Sequence, residues 1–374
     1  MEGTKPRTVS SLGMFDLLKG VGMLLIVFAH TSELYPVGDI STITPVTFFL
    51  FAYRESLMAA FYIASGYGFR KRSIGKCISQ QFKTLFKPYA YTGLATTIAH
   101  FVIHYKTFGN WNNAVYETYK VLGGFVLGLP HTATYFGQEF FSCGPMWYLL
   151  ALMIGWILLD VILNIFPESY IKWAVLGTML LGWGISLVWE APFCIAQGMV
   201  TVPYLYIGFL AKKKRLFEKK FRPLAILGLL AAALGVALGV LLTGKTDCVS
   251  LGEWTMGPVS ILLDGIVGLG FIVLFMKVQR LLDNPVTHLI EAVGRRSLYI
   301  FCIHTVELTA VPWYLMVQKY AAAPTKGLWL QYAVSLGSIF LLCEILLRRR
   351  DVMLKFFPAR RRHFAEHQRY VAKH

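Results

Sequence analysis

Runs of about 20 apolar residues, each long enough to cross the hydrocarbon core of a bilayer, recur along most of this chain. Composition removes the alternatives to a polytopic membrane protein. Of the 374 residues, 56% are hydrophobic and 15% are charged, where a globular domain carries roughly 25% charged residues. A disordered chain is poor in aromatics, and here they reach 15%. The six cysteines, Cys77, Cys143, Cys194, Cys248, Cys302 and Cys343, are too sparse for a disulfide scaffold and lack the CxxC spacing of a metal site.

Ten spans are read at about 13–33, 54–69, 86–104, 144–163, 173–190, 198–211, 223–243, 255–276, 297–317 and 328–347, with a half-helix at 45–53 before the second. The segment 119–130 is apolar but short and rich in glycine, which points to a re-entrant or interfacial piece. Basic residues collect on the cytoplasmic side of membrane proteins. With both termini inside, 30 of the 36 basic residues fall in inner segments, 5 in outer loops, and Arg54 is left over. An eleventh full span at 119–130 would invert everything after it and put the seven basic residues of 212–222 outside. The expected fold is therefore all-α, a polytopic membrane helix bundle of about ten transmembrane helices with both termini cytoplasmic. Residues 1–347 form the membrane-embedded domain, and 348–374 form a basic cytoplasmic tail that lies on the inner membrane surface. No cleavable signal peptide is apparent: the first span is too long and no small-residue cleavage site follows it.

The net charge of +16 is thus placed in the cytoplasm. Topology and attraction to membrane lipids with anionic headgroups account for it, and a phosphate-rich cytoplasmic ligand would exploit it. Nucleic acid is not an expected partner. Chemistry has to happen among the helices or in the loop 105–142. That loop holds Asn110, Trp111, Asn112, Asn113, His131, Tyr135, Gln138 and Glu139. Aromatic faces with amides suit a sugar and equally suit an interfacial belt.

Ionisable side chains inside spans are costly and mark functional sites by default. The first span carries Asp16, Lys19, His30 and Glu33. Eleven helical steps of about 100° return Lys19 and His30 to nearly the same face, with a rise of roughly 16 Å between them. Asp16 lies one turn below Lys19 and Glu33 one turn above His30, the spacing at which helix side chains meet. Taken singly, Lys19 would be a snorkelling anchor and His30 a satisfied interhelical hydrogen bond. Sharing a face, each beside an acid, they point to a site. The stretch His30-Thr-Ser-Glu33-Leu returns in the ninth span as His304-Thr-Val-Glu307-Leu. Both spans run from inside to outside, so both motifs lie toward the outer end. Two imidazoles and two carboxylates at one depth suit proton transfer. A metal is not expected, because His-x-x-Glu brings few ligands and no further ligand cluster supports it. Asp264 lies inside the eighth span, as a structural partner or part of a proton path, and Arg54 and Glu55 open the second, where a local pair suffices to explain them.

Four stretches resemble the acyltransferase-3 family of integral membrane O-acyltransferases, nearest to its sugar O-acetylase branch. Phe15-Asp16-Leu-Leu-Lys19-Gly20 followed by Val27-Phe-Ala-His30-Thr is similar to the family's first helix, in which a basic residue precedes a histidine by eleven positions. Met58-Ala-Ala-Phe-Tyr-Ile-Ala-Ser65-Gly66-Tyr67 resembles its Met-Pro-Leu-Phe-Phe-Phe-Ile-Ser-Gly-Tyr segment, with Ala59 in place of the proline. Lys83-Thr-Leu-Phe-Lys87-Pro88-Tyr89 resembles its basic run ending in Pro-Tyr. Gly294-Arg-Arg-Ser297-Leu-Tyr299-Ile-Phe-Cys-Ile-His304 resembles a late helix ending in histidine, and Pro145-Met-Trp147-Tyr-Leu is a weaker fifth match. The basic residues after the second span lack a clean Arg-x-x-Arg.

The resemblance implies transfer of an acyl group, most often acetyl, from cytoplasmic acyl-CoA to a hydroxyl of an extracytoplasmic or lipid-linked glycan, in a multi-pass protein of a cell membrane, the bacterial inner or plasma membrane being expected. Acyl-CoA is then a co-substrate and no bound cofactor is required. The resemblance puts His30 at the reaction centre and Lys19 on the donor side, and the repeated motif adds Glu33, His304 and Glu307 as catalytic candidates. Lys19, Arg70, Arg72, Lys83 and Lys87 are the donor-binding candidates, and Asp16, Ser65, Gly66, Trp147, Ser297 and Tyr299 support them. His30 serves either as a general base toward the acceptor or as a transient acyl carrier. Ten helices with intramembrane charges also suit a transporter or flippase of a lipid-linked sugar, although no inverted repeat or paired broken helices are visible.

Overall fold

The computed structural model describes residues 13–35, 45–219 and 223–356. In hydrocarbon every backbone N–H and C=O must be satisfied within the protein, which apolar runs achieve as helices. The chain opens with α1 (Gly13–Ser32), α2 (Pro45–Ala52) and α3 (Arg54–Tyr67). A link over 68–73 leads to α4 (Ile74–Gln81), a π-helical turn Phe82–Phe86, and α5 (Lys87–Phe108), which follow one another without a break. The next helix, α6 (Trp111–Leu127), starts where the Asn110 side chain accepts from the Asn113 N–H at 3.0 Å. It ends at Gly128, whose φ of 62° is a left-handed conformation that glycine adopts without penalty. The Tyr89 hydroxyl near the start of α5 donates to the Phe125 carbonyl near the end of α6. The segment 119–130 is therefore mostly the returning arm of a helical hairpin.

A small antiparallel hairpin, β1 (Ala133–Tyr135) with β2 (Gln138–Phe140), is the one sheet among the described residues, and an isolated antiparallel bridge joins Cys248 to Glu253. Then come α7 (Trp147–Ile165), α8 (Glu168–Val188), α9 (Ile195–Lys213), α10 (Pro223–Thr243), α11 (Pro258–Leu281), α12 (Pro285–Arg295), α13 (Ser297–Ala310), α14 (Tyr314–Lys319) and α15 (Pro324–Phe356).

Each of the ten expected segments falls on a helix. Among the described residues seven helices, α1, α7 to α11 and α15, are long and apolar enough to cross a membrane. The helices α3 and α13 have 14 residues each, about 21 Å at 1.5 Å per residue. Several boundaries move by a few residues. The expected span 297–317 ends at Ala310, because Val311 precedes Pro312 and takes an extended conformation, as the proline ring requires of its predecessor. The expected tenth span, 328–347, lies inside α15, which runs from Pro324 to Phe356. The tail 357–374 and residues 1–12 lie outside the described residues.

Glycine lets α1 and α12 approach to backbone contact. A Cβ on Gly20 would lie 2.0 Å from the Ile290 carbonyl oxygen, and one on Gly294 would lie 1.8 Å from that of Asp16. The same device joins α3 to α9, where a Cβ on Gly66 would meet the Leu205 carbonyl oxygen at 2.1 Å. Small residues are what allow close packing where lipid supplies no hydrophobic drive between helices. Leu224, Leu227, Leu230, Leu234 and Leu241 of α10 are exposed, a face that acyl chains solvate.

Candidate active site

The C-terminal halves of α1 and α13 carry the two His-x-x-Glu motifs. Glu33 follows the last turn of α1, its N–H still bonded to the Ala29 carbonyl at 3.0 Å. This keeps Glu33 on the face of His30, and its Oε2 lies 3.4 Å from His30 Nδ1. In α13 the Glu307 Oε2 lies 3.2 Å from His304 Nδ1. The two imidazoles are neighbours, with ring centroids 5.6 Å apart and planes inclined by 35°. The pairs differ in burial: the side chains of His30 and Glu33 are 30% and 50% exposed, those of His304 and Glu307 1% and 8%.

Each glutamate is held by its second oxygen. Glu307 Oε1 accepts from the Ser335 hydroxyl of α15 at 2.7 Å. Glu33 Oε1 lies 3.4 Å from Arg54 Nη1. A carboxylate only accepts, so a ring Nδ1 bonded to it carries the proton and leaves Nε2 with a lone pair. In His304 that Nε2 is buried and has no hydrogen-bond partner. A histidine oriented by a carboxylate, with its other nitrogen free, is the arrangement of a general base or nucleophile and its orienting group.

Toward the N-terminal end of α1, Lys19 is half-buried, roughly 16 Å from His30 by helical rise. Asp16 reaches Arg295 of α12 at 3.8 Å. Arg70, Lys83 and Lys87 are exposed and Arg72 is half-buried. The N–H of Arg72 donates to Asp160 at 3.0 Å and its carbonyl accepts from Asn164 at 2.8 Å, so what anchors it is backbone. Arg70 is an electrostatic neighbour of Lys212. Lys83 sits in the π turn and Lys87 opens α5. These five cations thus sit on three different stretches of chain, whereas His30, Glu33, His304 and Glu307 converge on one point.

The supporting residues mostly serve packing. Ser65 hydrogen-bonds Tyr148, whose ring lies edge-on to Phe301 at 6.1 Å, one turn below His304. Gly66 meets α9, and Trp147 is buried at the start of α7. Ser297 opens α13 and Tyr299 is exposed there. In the loop, Asn113 bonds His104 at 3.1 Å, His131 pairs with Glu190 at 2.9 Å and Glu139 with Lys120 at 3.7 Å. Asp264, fully buried, accepts from the Ser56 hydroxyl. Among the described residues no group of histidine, cysteine or acidic side chains is placed to hold a metal ion.

Two participants carried no usable sequence signal. Ser335 is one hydroxyl in an apolar helix, and its role exists only because α15 packs on α13. The reach of Arg54 to Glu33 depends on the meeting of α1 and α3. Comparison with known proteins then gives one match. A family model described as an acyltransferase domain covers residues 13–348, a stretch that contains both histidine motifs, Lys19 and Ser335. No curated protein and no solved structure matches the chain.

Proposed function

Because the chain belongs to the acyltransferase-3 family and is a multi-pass membrane acyltransferase, we propose that it moves an acyl group, most simply acetyl, from cytoplasmic acyl-CoA to a hydroxyl of an extracytoplasmic or lipid-linked glycan, in a bacterial inner or plasma membrane. The observation that carries this reading is the facing pair of carboxylate-bound imidazoles, His30–Glu33 and His304–Glu307. His30 is the accessible member and acts as the base. Its Nε2 takes the proton of the acceptor hydroxyl as the oxygen attacks the thioester carbonyl. The carbon–sulfur bond breaks, the CoA sulfur leaves as thiolate, and the proton on His30 passes to it. Ester and free thiol result, with no net proton to dispose of. Glu33 orients the ring and stabilises it while charged. His304 packs against it as the buried wall of the site.

Donor approach follows from charge. CoA is a polyanion, and the inner segments hold 30 of the 36 basic residues. Lys19, Arg70, Arg72, Lys83 and Lys87 are the donor contacts, and the thioester travels along α1 from the Lys19 level to the His30 level. The family match favours this enzyme over a transporter of lipid-linked sugar. The test is transfer of label from radiolabelled acetyl-CoA to envelope glycans of the source cells by the purified protein in lipid. Labelled glycan with wild type and none with His30→Ala is the expected result; equal labelling by the two would remove His30 from the mechanism.

A further inference from the structure

Arg54 opens α3, and a pair with its neighbour Glu55 would be enough to explain it locally. The structure gives it more to do. Its Nε lies 3.8 Å from Glu55 Oε1 and 3.5 Å from the Asp247 carbonyl oxygen, while Nη1 lies 3.4 Å from Glu33 Oε1. The guanidinium therefore spans from the link over 244–257 to the end of α1. Its side chain is 26% exposed, well short of a freely solvated surface cation. Glu33 divides its two oxygens between His30 and Arg54.

The far side of this bridge is braced. The Asp247 carboxylate accepts from the Thr255 N–H at 2.5 Å, and Cys248 and Glu253 exchange backbone bonds at 2.9 and 3.1 Å. The Ser56 hydroxyl, two residues after Arg54, donates to Asp264 and ties this end of α3 to α11. Glu33, by contrast, lies beyond the last residue of α1 and is half exposed. A carboxylate at a helix end, with one arm on a histidine, turns freely unless its second oxygen is held.

We infer that Arg54 is a positioning residue of the acyl-transfer site: braced on Asp247 and Glu55, its guanidinium holds the Glu33 carboxylate in the orientation in which it carries His30. The inference rests on the proposed acyl transfer at His30. It explains the choice of arginine, whose planar fork bonds in two directions at once, where the ammonium of lysine is a single point charge. Glu33 and Arg54 act in series on His30, so removing either undoes the same alignment.

The test uses the full-length protein in lipid, acetyl-CoA as donor and the source cells' envelope glycans as acceptor. Arg54→Gln is expected to lower kcat on the order of 10²-fold, the scale of a small misplacement of a reacting group, with KM for acetyl-CoA little changed because the donor enters from the opposite side. Arg54→Lys, which keeps the charge and loses the fork, is expected to fall between Arg54→Gln and wild type. The double variant Arg54→Gln with Glu33→Gln is expected to be no slower than Glu33→Gln alone. Should Arg54→Gln fail to fold, Arg54→Lys and its double with Glu33→Gln carry the same comparison. Wild-type turnover in the Arg54 variants, or losses that multiply in the double, would overturn the inference. His30→Ala separates the two layers. A fully active His30→Ala would overturn acyl transfer at His30 and this inference with it, whereas an inactive His30→Ala beside an intact Arg54→Gln would overturn this inference alone.

Discussion

His30 and His304 stand in the same four-residue motif, each bonded through Nδ1 to a glutamate one turn on, yet the first ring is open and the second is sealed. The difference comes from where each helix goes. His30 lies in the last turn of α1, and its glutamate sits past the helix end. His304 lies inside α13, which packs against α5, α15 and α1, and its glutamate is fixed by Ser335. A motif sets which atoms are present, and packing sets which of them a substrate can reach. The open pair suits the reacting group. The closed pair suits a rigid wall that holds the open ring in place.

That division makes unequal demands on substitution. His30→Ala should cost the most activity, on the order of 10²- to 10⁴-fold in kcat, the usual contribution of a general base, with thermal stability near wild type because the ring is partly solvated. Equal stability losses in His30→Ala and His304→Ala, measured by thermal unfolding in detergent, would break the comparison. His304→Ala should lose less activity and more stability. It leaves the buried Glu307 carboxylate short of one partner, a penalty of about 1–3 kcal/mol.

Smaller effects sharpen the picture. Lys19→Ala should weaken acetyl-CoA binding, seen as a raised KM for donor with kcat nearly kept, and the remaining affinity should fall as salt rises because exposed charges are screened beyond about 10 Å at 0.1 M. An unchanged donor KM at low salt would reassign Lys19 to membrane anchoring. Ser335→Ala should be mildest. An interhelical hydrogen bond in a membrane averages about 0.6 kcal/mol, so a small drop in unfolding midpoint and a few-fold loss of rate are expected. A loss as large as that of His304→Ala would mean that Ser335 does more than hold Glu307.

Much of this arrangement was legible before the fold, and for definite reasons. Apolar run length located the helices, because hydrocarbon leaves a backbone few other conformations. The repeat of His-x-x-Glu on two spans running the same way put both motifs at one end of the bundle. The burial of His304 was not legible, since it depends on which helices surround α13. Nor was α12: its eleven residues are too short and too charged to resemble a span, and their apolar face has meaning only against Gly20 of α1. The donor-binding cations were legible as a charge excess and not as a site. Exposed lysines such as Lys83 and Lys87 leave no pattern in the sequence that tells a ligand contact from a topological signal. Ser335 lies in an apolar stretch where nothing distinguishes it from Ser338.

The central claim is that the two histidine motifs form one site. It is tested most directly by the rate of acetyl transfer in His30→Ala, in His304→Ala and in the variant carrying both. Groups that act as a unit lose their joint contribution when either is removed, so the double variant should be little slower than His30→Ala alone. Losses that multiply, with the double slower than His30→Ala by the full factor seen for His304→Ala, would mean that the facing rings work independently and that the shared site does not exist.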